Sequence, residues 1–467
     1  MPHHRRALIT VLAALSLFYV YRLFSTSQSA GSPSWIRRGR DDDNVLNSTL
    51  GFGEMFVINL PLRRDRRDAM TIAGAVSNFN LTFLEGLTGD SVDSSSSTTK
   101  SGGRTAASSH SALAGARGSW RSHMNALQTI VEQGLGSALV LEDDVDWDVR
   151  LKAQMRTFAA ASRIWLSTEE ERRKRVSPTQ GPKGAKSRLG ERQQQQYDSV
   201  AESLIPLRSD SEPDHGERAM SDQPKRATIP LSSNILSSTL GQRNPTASPY
   251  GADWDVLWLG HCGADLPIAA QEGPLSSKDT FPPSLTISIS DDVTVPAPKH
   301  LKPHPFALRD RLADAYPAHT RVVHAATGNV CSLAYAVSQR GARKLLWRFS
   351  QAGFVDQWDL MLRDYCMGEY EDGDSREDEP GEEEQKMGHT SPVCLTVQPP
   401  LISHRYAGEE GGASVSNIRG QGGGLARAKK GTPYVRLSVQ ENLRRLVAGY
   451  SIDELVDQLP DEGDTLW

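Results

Sequence analysis

Cysteine is scarce in this sequence: Cys262, Cys331, Cys366 and Cys394 are the only four, and no two form a C-x-x-C pair. That excludes a structural zinc site built from paired thiolates. Four widely spaced cysteines permit disulfides in three connectivities, and buried free thiols fit the same spacing. Apolar residues are also few, at 38 % of 467, and several long stretches hold almost no Val, Ile, Leu or Phe. Such stretches cannot bury enough surface to offset the entropy of ordering them. One sizeable domain over residues 54–459 is therefore expected, with disordered insertions at about 90–118, 167–249, 266–317 and 369–390 and a tail at 460–467. Excess positive charge is missing as well. The net charge of −5 gives no ground for a nucleic-acid partner.

Long apolar runs are absent but for one, Ala7 to Tyr21, which follows His3, His4, Arg5 and Arg6. It is shorter than the roughly 20 residues that span a bilayer comfortably. Arg22 can snorkel, however, and early secretory membranes are thin. No small-x-small cleavage site precedes Arg22, and Phe18, Tyr19, Tyr21 and Phe24 crowd the end of the run. A single-pass signal anchor over residues 1–24 is expected, its positive end cytoplasmic and the rest lumenal in the Golgi or endoplasmic reticulum. A cleaved signal peptide is the rival. Residues 25–53 read as a stem.

What is present alternates. Glu54 to Leu60 and Leu81 to Leu87 read as strands. Trp120, Met124, Leu127 and Val131 recur at helical spacing behind Ser119, with Gly134 closing the helix. Ser137 to Leu141 is a buried strand that runs straight into Glu142, Asp143, Asp144, Val145 and Asp146. Trp254 to Gly260 and Cys394 to Val397 are further strands, Ser338 to Phe349 a helix, and Val355 starts a shorter one. An amphipathic helix or two is expected around Val435 to Leu459. Strand, helix, strand and then carboxylates is the pattern of an open α/β sheet, whose ligands bind beyond the carboxyl ends of its strands.

Clustered carboxylates at such a strand end repel one another and resist burial unless a cation is bound. A hard divalent ion held by one or two of them can clamp phosphate oxygens. Asp143 and Asp144 are the first candidate metal ligands, with Asp146 in reserve; a loop cluster that caps the next helix is the alternative. Asn59, Arg63, Arg66 and Arg67 follow the first strand, where amide and guanidinium groups can meet a base and phosphates, or simply begin a basic surface helix. Ser122 and His123 start the helix that leads to the acidic strand, as ligand contacts or as caps. Asp356 suits either an N-cap or a general base, and Glu142 competes with it for the second role.

Six blocks resemble glycosyltransferase family 25, which includes bacterial lipopolysaccharide sugar transferases and animal procollagen galactosyltransferases. They are Phe56 to Arg67 (FVINLPLRRDRR), Arg121 to Asn125 (RSHMN), Ala138 to Val145 (ALVLEDDV), Trp254 to Gly260 (WDVLWLG), Ala334 to Leu346 (AYAVSQRGARKLL) and the pair Val355-Asp356, all in the family's order. The resemblance implies a GT-A-like, Rossmann-type α/β fold. It also implies inverting transfer of a hexose, usually galactose, from a UDP-sugar to a hydroxyl of a glycan or glycoprotein. Mn²⁺ is the metal it implies, and Mg²⁺ also suits oxygen ligands. His404 stands in a late segment similar to one that returns to the donor site in the family, as metal or diphosphate ligand; a surface histidine is the alternative. The long insertions and the stretch Gly328 to Ser332 (GNVCS) depart from the family's pattern. A fold of this kind also serves silent lectins and assembly factors. A two-metal phosphohydrolase would need a second carboxylate or histidine cluster, which the sequence shows only in its low-complexity acidic stretch.

Overall fold

The computed structural model describes residues 45–92, 107–176, 228–232, 236, 239, 248–267, 285–301, 311–369, 391–406 and 430–466. The expected anchor at 1–24 and most of the acidic stretch at 369–390 lie outside these residues. Among the described residues no helix is long and apolar enough to cross a membrane.

The centre is one mixed sheet. Its strands are β1 (Glu54–Asn59), β2 (Thr82–Glu85), β3 (Ser137–Glu142), β4 (Val145–Trp147), β5 (Thr228–Pro230), β6 (Val256–Gly260), β7 (Thr286–Ile289), β8 (Arg321–Ala325), β9 (Ala334–Ser338), β10 (Cys394–Gln398) and β11 (Ile402–His404). The main path runs β2-β1-β3-β9-β6-β10-β8-β7-β5, with β11 bridging β4 and β6. β1, β2 and β3 are mutually parallel, as are β6 and β10, while β9 runs antiparallel between β3 and β6. The open α/β architecture expected from the alternation of elements is observed, and it is consistent with the GT-A-like fold that the resemblance implies.

Strand β3 explains why its sequence is uniformly apolar. Leu139 and Leu141 point into one core, Ala138 and Val140 into the other. A strand covered on both faces needs apolar side chains at every position. Helices α1 (Arg64–Val76) and α3 (Leu151–Val176) cover the first face through Met70, Ala73, Met155 and Phe158. The second is covered by α2 (Ala107–Glu132), α5 (Gln339–Ala352) and α6 (Trp358–Cys366), through Trp120, Leu127, Leu345, Phe349 and Trp358. Ser338 caps α5 by accepting from Gly341 N at 3.0 Å, and Gly353 ends that helix at a φ of 68°. Gly260 closes β6 where β9 and β11 converge. A Cβ there would lie 2.9 Å from both Ala334 N and Ile402 O, so only glycine fits. This close approach carries β11 to the carboxyl edge of the sheet.

Ordered structure extends into the segments expected to be disordered. Helix α2 begins by Ala107, well before Ser119, because Ala-rich sequence favours helix as readily as loop. Helix α3 continues to Val176, and β5, β7 and the short α4 (Leu312–Ala315) lie inside the expected insertions. The C-terminal region holds only α7 (Leu443–Val447) and one 3₁₀ turn, since residues 430–442 run alongside β4 instead of coiling. All four cysteines are paired, Cys262 with Cys331 and Cys366 with Cys394.

Candidate active site

The acidic run leaves β3 at the carboxyl edge of the sheet. Asp143 and Asp144 turn the chain into β4, which pairs antiparallel with β11 so that Val145 faces His404. His404 Nε2 thereby lies 3.3 Å from Asp144 Oδ2. From the start of α1, one terminal nitrogen of Arg66 stands 2.7 Å from Asp143 Oδ1 and 2.9 Å from Asp144 Oδ2. Asn59, buried at the end of β1, donates to Asp143 Oδ2 at 2.7 Å and to Arg63 O at 3.1 Å. Four elements thus converge on two carboxylates.

Their electrostatics differ. Burial, and then the Asp144 charge, raise the Asp143 carboxyl against the pull of Arg66 and Asn59. Burial opposes ionisation of Asp144 too, but His404 and Arg66 together outweigh it and hold the group well below its usual range. Burial lowers the Arg66 guanidinium, and Asp144 and Asp143 more than restore it. Asp144 is the more readily ionised member of the pair. Its second oxygen, Oδ1, is buried with no hydrogen-bond partner, and so is His404 Nδ1.

Glu142 faces a second set of groups. Ser332 Oγ donates to its Oε1 at 2.9 Å, and His123 Nε2 lies 3.9 Å from the same oxygen. Burial, then the charges of Asp144, Asp359 and Asp143, push the carboxyl up to about 8. Asp359, on α6, accepts from Cys331 N at 2.8 Å. His123 is buried, bonded through Nδ1 to Tyr335 Oη at 2.8 Å and stacked on Trp358 with centroids 4.9 Å apart.

Three of the six sequence blocks, Phe56 to Arg67, Arg121 to Asn125 and Ala138 to Val145, lie in a segment that matches known proteins. Residues 52–179 fit the family model described as glycosyltransferase family 25 (LPS biosynthesis protein). The match spans a little over a quarter of the chain and supports membership of glycosyltransferase family 25. The matched segment carries Asn59, Arg66, His123 and the acidic turn, whereas Ser332, Asp359 and His404 reach the site from beyond it.

Five of the expected site residues stand elsewhere or do other work. Asp146 is fully buried and saturated: Oδ1 accepts from Trp147 N at 2.8 Å and Gln440 N at 3.2 Å, Oδ2 from Thr432 Oγ1 at 2.7 Å and from Ser438 Oγ. It is a structural acceptor with no lone pair turned to the site. Ser122 accepts from Leu87 N at 2.8 Å and donates to Gly118 O at 2.7 Å, which exhausts its role inside α2. Arg67 is exposed and lies over the Phe83 ring at 4.2 Å. Arg63 forms a two-pronged pair with Asp65, at 3.0 and 2.8 Å. Asp356 is exposed and accepts from Gln357 N at 2.7 Å. The carboxylate that α6 turns toward Glu142 is Asp359, three residues on.

Among the described residues no three His, Cys, Asp or Glu side chains form a ready cation site. The donor set still fits a divalent ion that takes most of its ligands from water and phosphate. Asp144 would hold it through the unpartnered Oδ1, with His404 beside it; Asp143 is engaged on both oxygens.

Two buried histidines set the acid stability of the domain. Burial pushes His123 down to about 3 and His261 to about 4, the second despite its 2.9 Å bond to Val397 O. Both are neutral when folded. Below pH 6.5 the unfolded chain takes up protons that the folded chain refuses, so stability falls by about 1.4 kcal/mol per pH unit for each histidine. Between pH 6.5 and 5 the two together are expected to cost roughly 3–4 kcal/mol, of which Glu142, keeping in the fold a proton that the unfolded chain releases, offsets about 2 kcal/mol. Denaturant titrations at pH 7.5, 6.5 and 5 on the parent and on Glu142→Gln check this, and a flat stability in Glu142→Gln would remove the neutral assignment.

Proposed function

We propose that this glycosyltransferase moves a hexose, galactose by family resemblance, from a UDP-sugar to a hydroxyl of a glycan or glycoprotein with inversion and with a divalent metal. What supports the reading is the Asp144 carboxylate, partly buried and favoured in its ionised form, with one buried oxygen left over after Arg66 and His404 are counted. A buried anion with a spare lone pair suits a cation, and the guanidinium beside it suits the diphosphate. A Mn²⁺ or Mg²⁺ ion there would neutralise charge growing on the departing diphosphate. Asn59 and Arg66 orient that group. Glu142 is the base: the acceptor oxygen attacks the anomeric carbon, the bond from that carbon to the diphosphate oxygen breaks, and the hydroxyl proton passes to the Glu142 carboxylate. A raised carboxyl is a stronger base once ionised, and a cation at Asp144 would favour that ionised form by screening the Asp144 charge. Two disulfides and no free cysteine support an oxidising compartment, in keeping with an anchored, lumenal enzyme.

The test is UDP release from a panel of UDP-sugars by the purified chain, with and without Mn²⁺. Metal-dependent release from one donor is expected, reduced about a hundredfold or more in Glu142→Gln with UDP affinity unchanged. Absence of both release and metal-dependent UDP binding would replace this reading with a silent lectin on the same fold.

A further inference from the structure

The stretch GNVCS departs from the family's pattern, and it runs past the base. Residues 326–333 link β8 to β9. Asn329 Nδ2 donates to Thr396 Oγ1 of β10 at 2.9 Å, and Trp258 Nε1 of β6 donates to Cys331 O at 3.1 Å. Val330 pairs with Gly263 in an isolated bridge, and the Cys262–Cys331 disulfide ties the same two segments together. Two consecutive residues then each hold one carboxylate: Cys331 N–H donates to Asp359 at 2.8 Å and Ser332 Oγ to Glu142 at 2.9 Å. Leu333 O closes the segment by accepting from Glu142 N at 3.0 Å.

Cys331 makes these bonds at a cost. Its φ of 64° lies in the left-handed region, which a residue with a Cβ rarely occupies. Such a conformation persists where its surroundings over-determine it, and these positions cluster at functional sites. Here the surroundings are the disulfide, the Val330–Gly263 bridge and the Trp258 bond. Freed from the disulfide, the residue is free to relax toward negative φ, which swings its N–H off Asp359 and moves Ser332 with it.

We propose that the Cys262–Cys331 disulfide and Ser332 are positioning residues for catalysis, holding Glu142 and Asp359 in the arrangement that the acceptor hydroxyl meets. This rests on the reading of Glu142 as base. The second disulfide provides the comparison, since Cys366 ends α6 while Asp359 begins it, and Cys394 starts β10. It is equal in kind and engages neither carboxylate.

The experiment measures kcat for UDP release from the preferred UDP-sugar with Mn²⁺, alongside UDP affinity by calorimetry and Tm, in four variants. Ser332→Ala and the double variant Cys262→Ser/Cys331→Ser are each expected to lower kcat about tenfold, the scale of a lost hydrogen bond to a charged group, with UDP affinity unchanged. Ser332→Thr, which keeps the hydroxyl, is expected to stay within about threefold of the parent. Cys366→Ser/Cys394→Ser is expected to lower Tm while kcat stays within about twofold. Should the cysteine variants fail to fold, the Ser332 pair decides alone. Parent-like kcat in Ser332→Ala, or equal loss of kcat and UDP affinity, overturns the proposal while parent turnover leaves the function standing. A parent without turnover overturns the function first.

Discussion

Asp144→Asn is expected to cost UDP-sugar turnover at least about a hundredfold and to lower Tm only modestly. The substitution keeps the shape of the side chain and removes one negative charge. That charge sits within a cluster of Glu142, Asp143 and Asp359, in which burial and mutual repulsion push the neighbouring carboxyls upward. Its Oδ1 has no partner to lose. Arg66 keeps Asp143 at 2.7 Å, so no buried cation is stranded. His404, the other partner, is 22 % exposed and can bond to water. Removing the charge therefore gives up the attraction of Arg66 and His404, offset in part by less repulsion on the neighbouring carboxyls, while it deletes the anionic carboxylate proposed for the metal. Thermal melts and UDP release on the same preparation check both halves. Parent-like turnover would remove Asp144 from the metal site, and a large drop in Tm would make it a structural residue.

How far the site was legible follows from where its information lies in the chain. The central strands were readable because burial on two faces demands runs such as Ala138 to Leu141 and Val256 to Leu259. Asn59, Arg66 and the acidic turn were readable because an open α/β sheet places ligands at these strand ends. The division of labour among the acids was not. Asp144 and Asp146 differ by two positions, and the hydroxyls that bond Asp146 are 286 and 292 residues away, the first just before and the second within a segment expected to be helical. Asp356 precedes α6 and Asp359 lies in its first turn, so the choice between them depends on where that helix starts and which face packs inward. Trp358, buried and stacked on His123, indicates that face. Ser332 and Cys331 carried only one signal, their departure from the family's pattern. The helix start at Ala107 was available from Ala content and was passed over in favour of the Ser and Gly around it.

The contrast between the two aspartates gives the second large effect. Asp146→Ala is expected to destabilise the domain by about 3–5 kcal/mol, on the order of 10 °C in Tm. It orphans two backbone N–H groups and two hydroxyls, all drawn from β4 and residues 432–440. The same strip is held by Leu437 N on Asp148 Oδ2 at 3.0 Å and by the backbone pair Val149 with Leu437, so losing Asp146 loosens the C-terminal segment against β4. Asp146→Asn should behave differently. The two donors on Oδ1 are N–H groups, which can only donate, and an amide oxygen satisfies them. The two on Oδ2 are hydroxyls, which can turn to accept from an amide NH₂. Burial also raises the Asp146 carboxyl despite four hydrogen bonds, so exchanging it for a neutral group removes a desolvation cost. The asparagine variant is thus expected within about 1 kcal/mol of the parent in a denaturant titration, with turnover intact. A metal ligand would show the reverse pattern, with stable protein and lost Mn²⁺-dependent UDP binding. That outcome in Asp146→Asn would return Asp146 to the metal site, and paired with an active Asp144→Asn it would exchange the roles of the two residues.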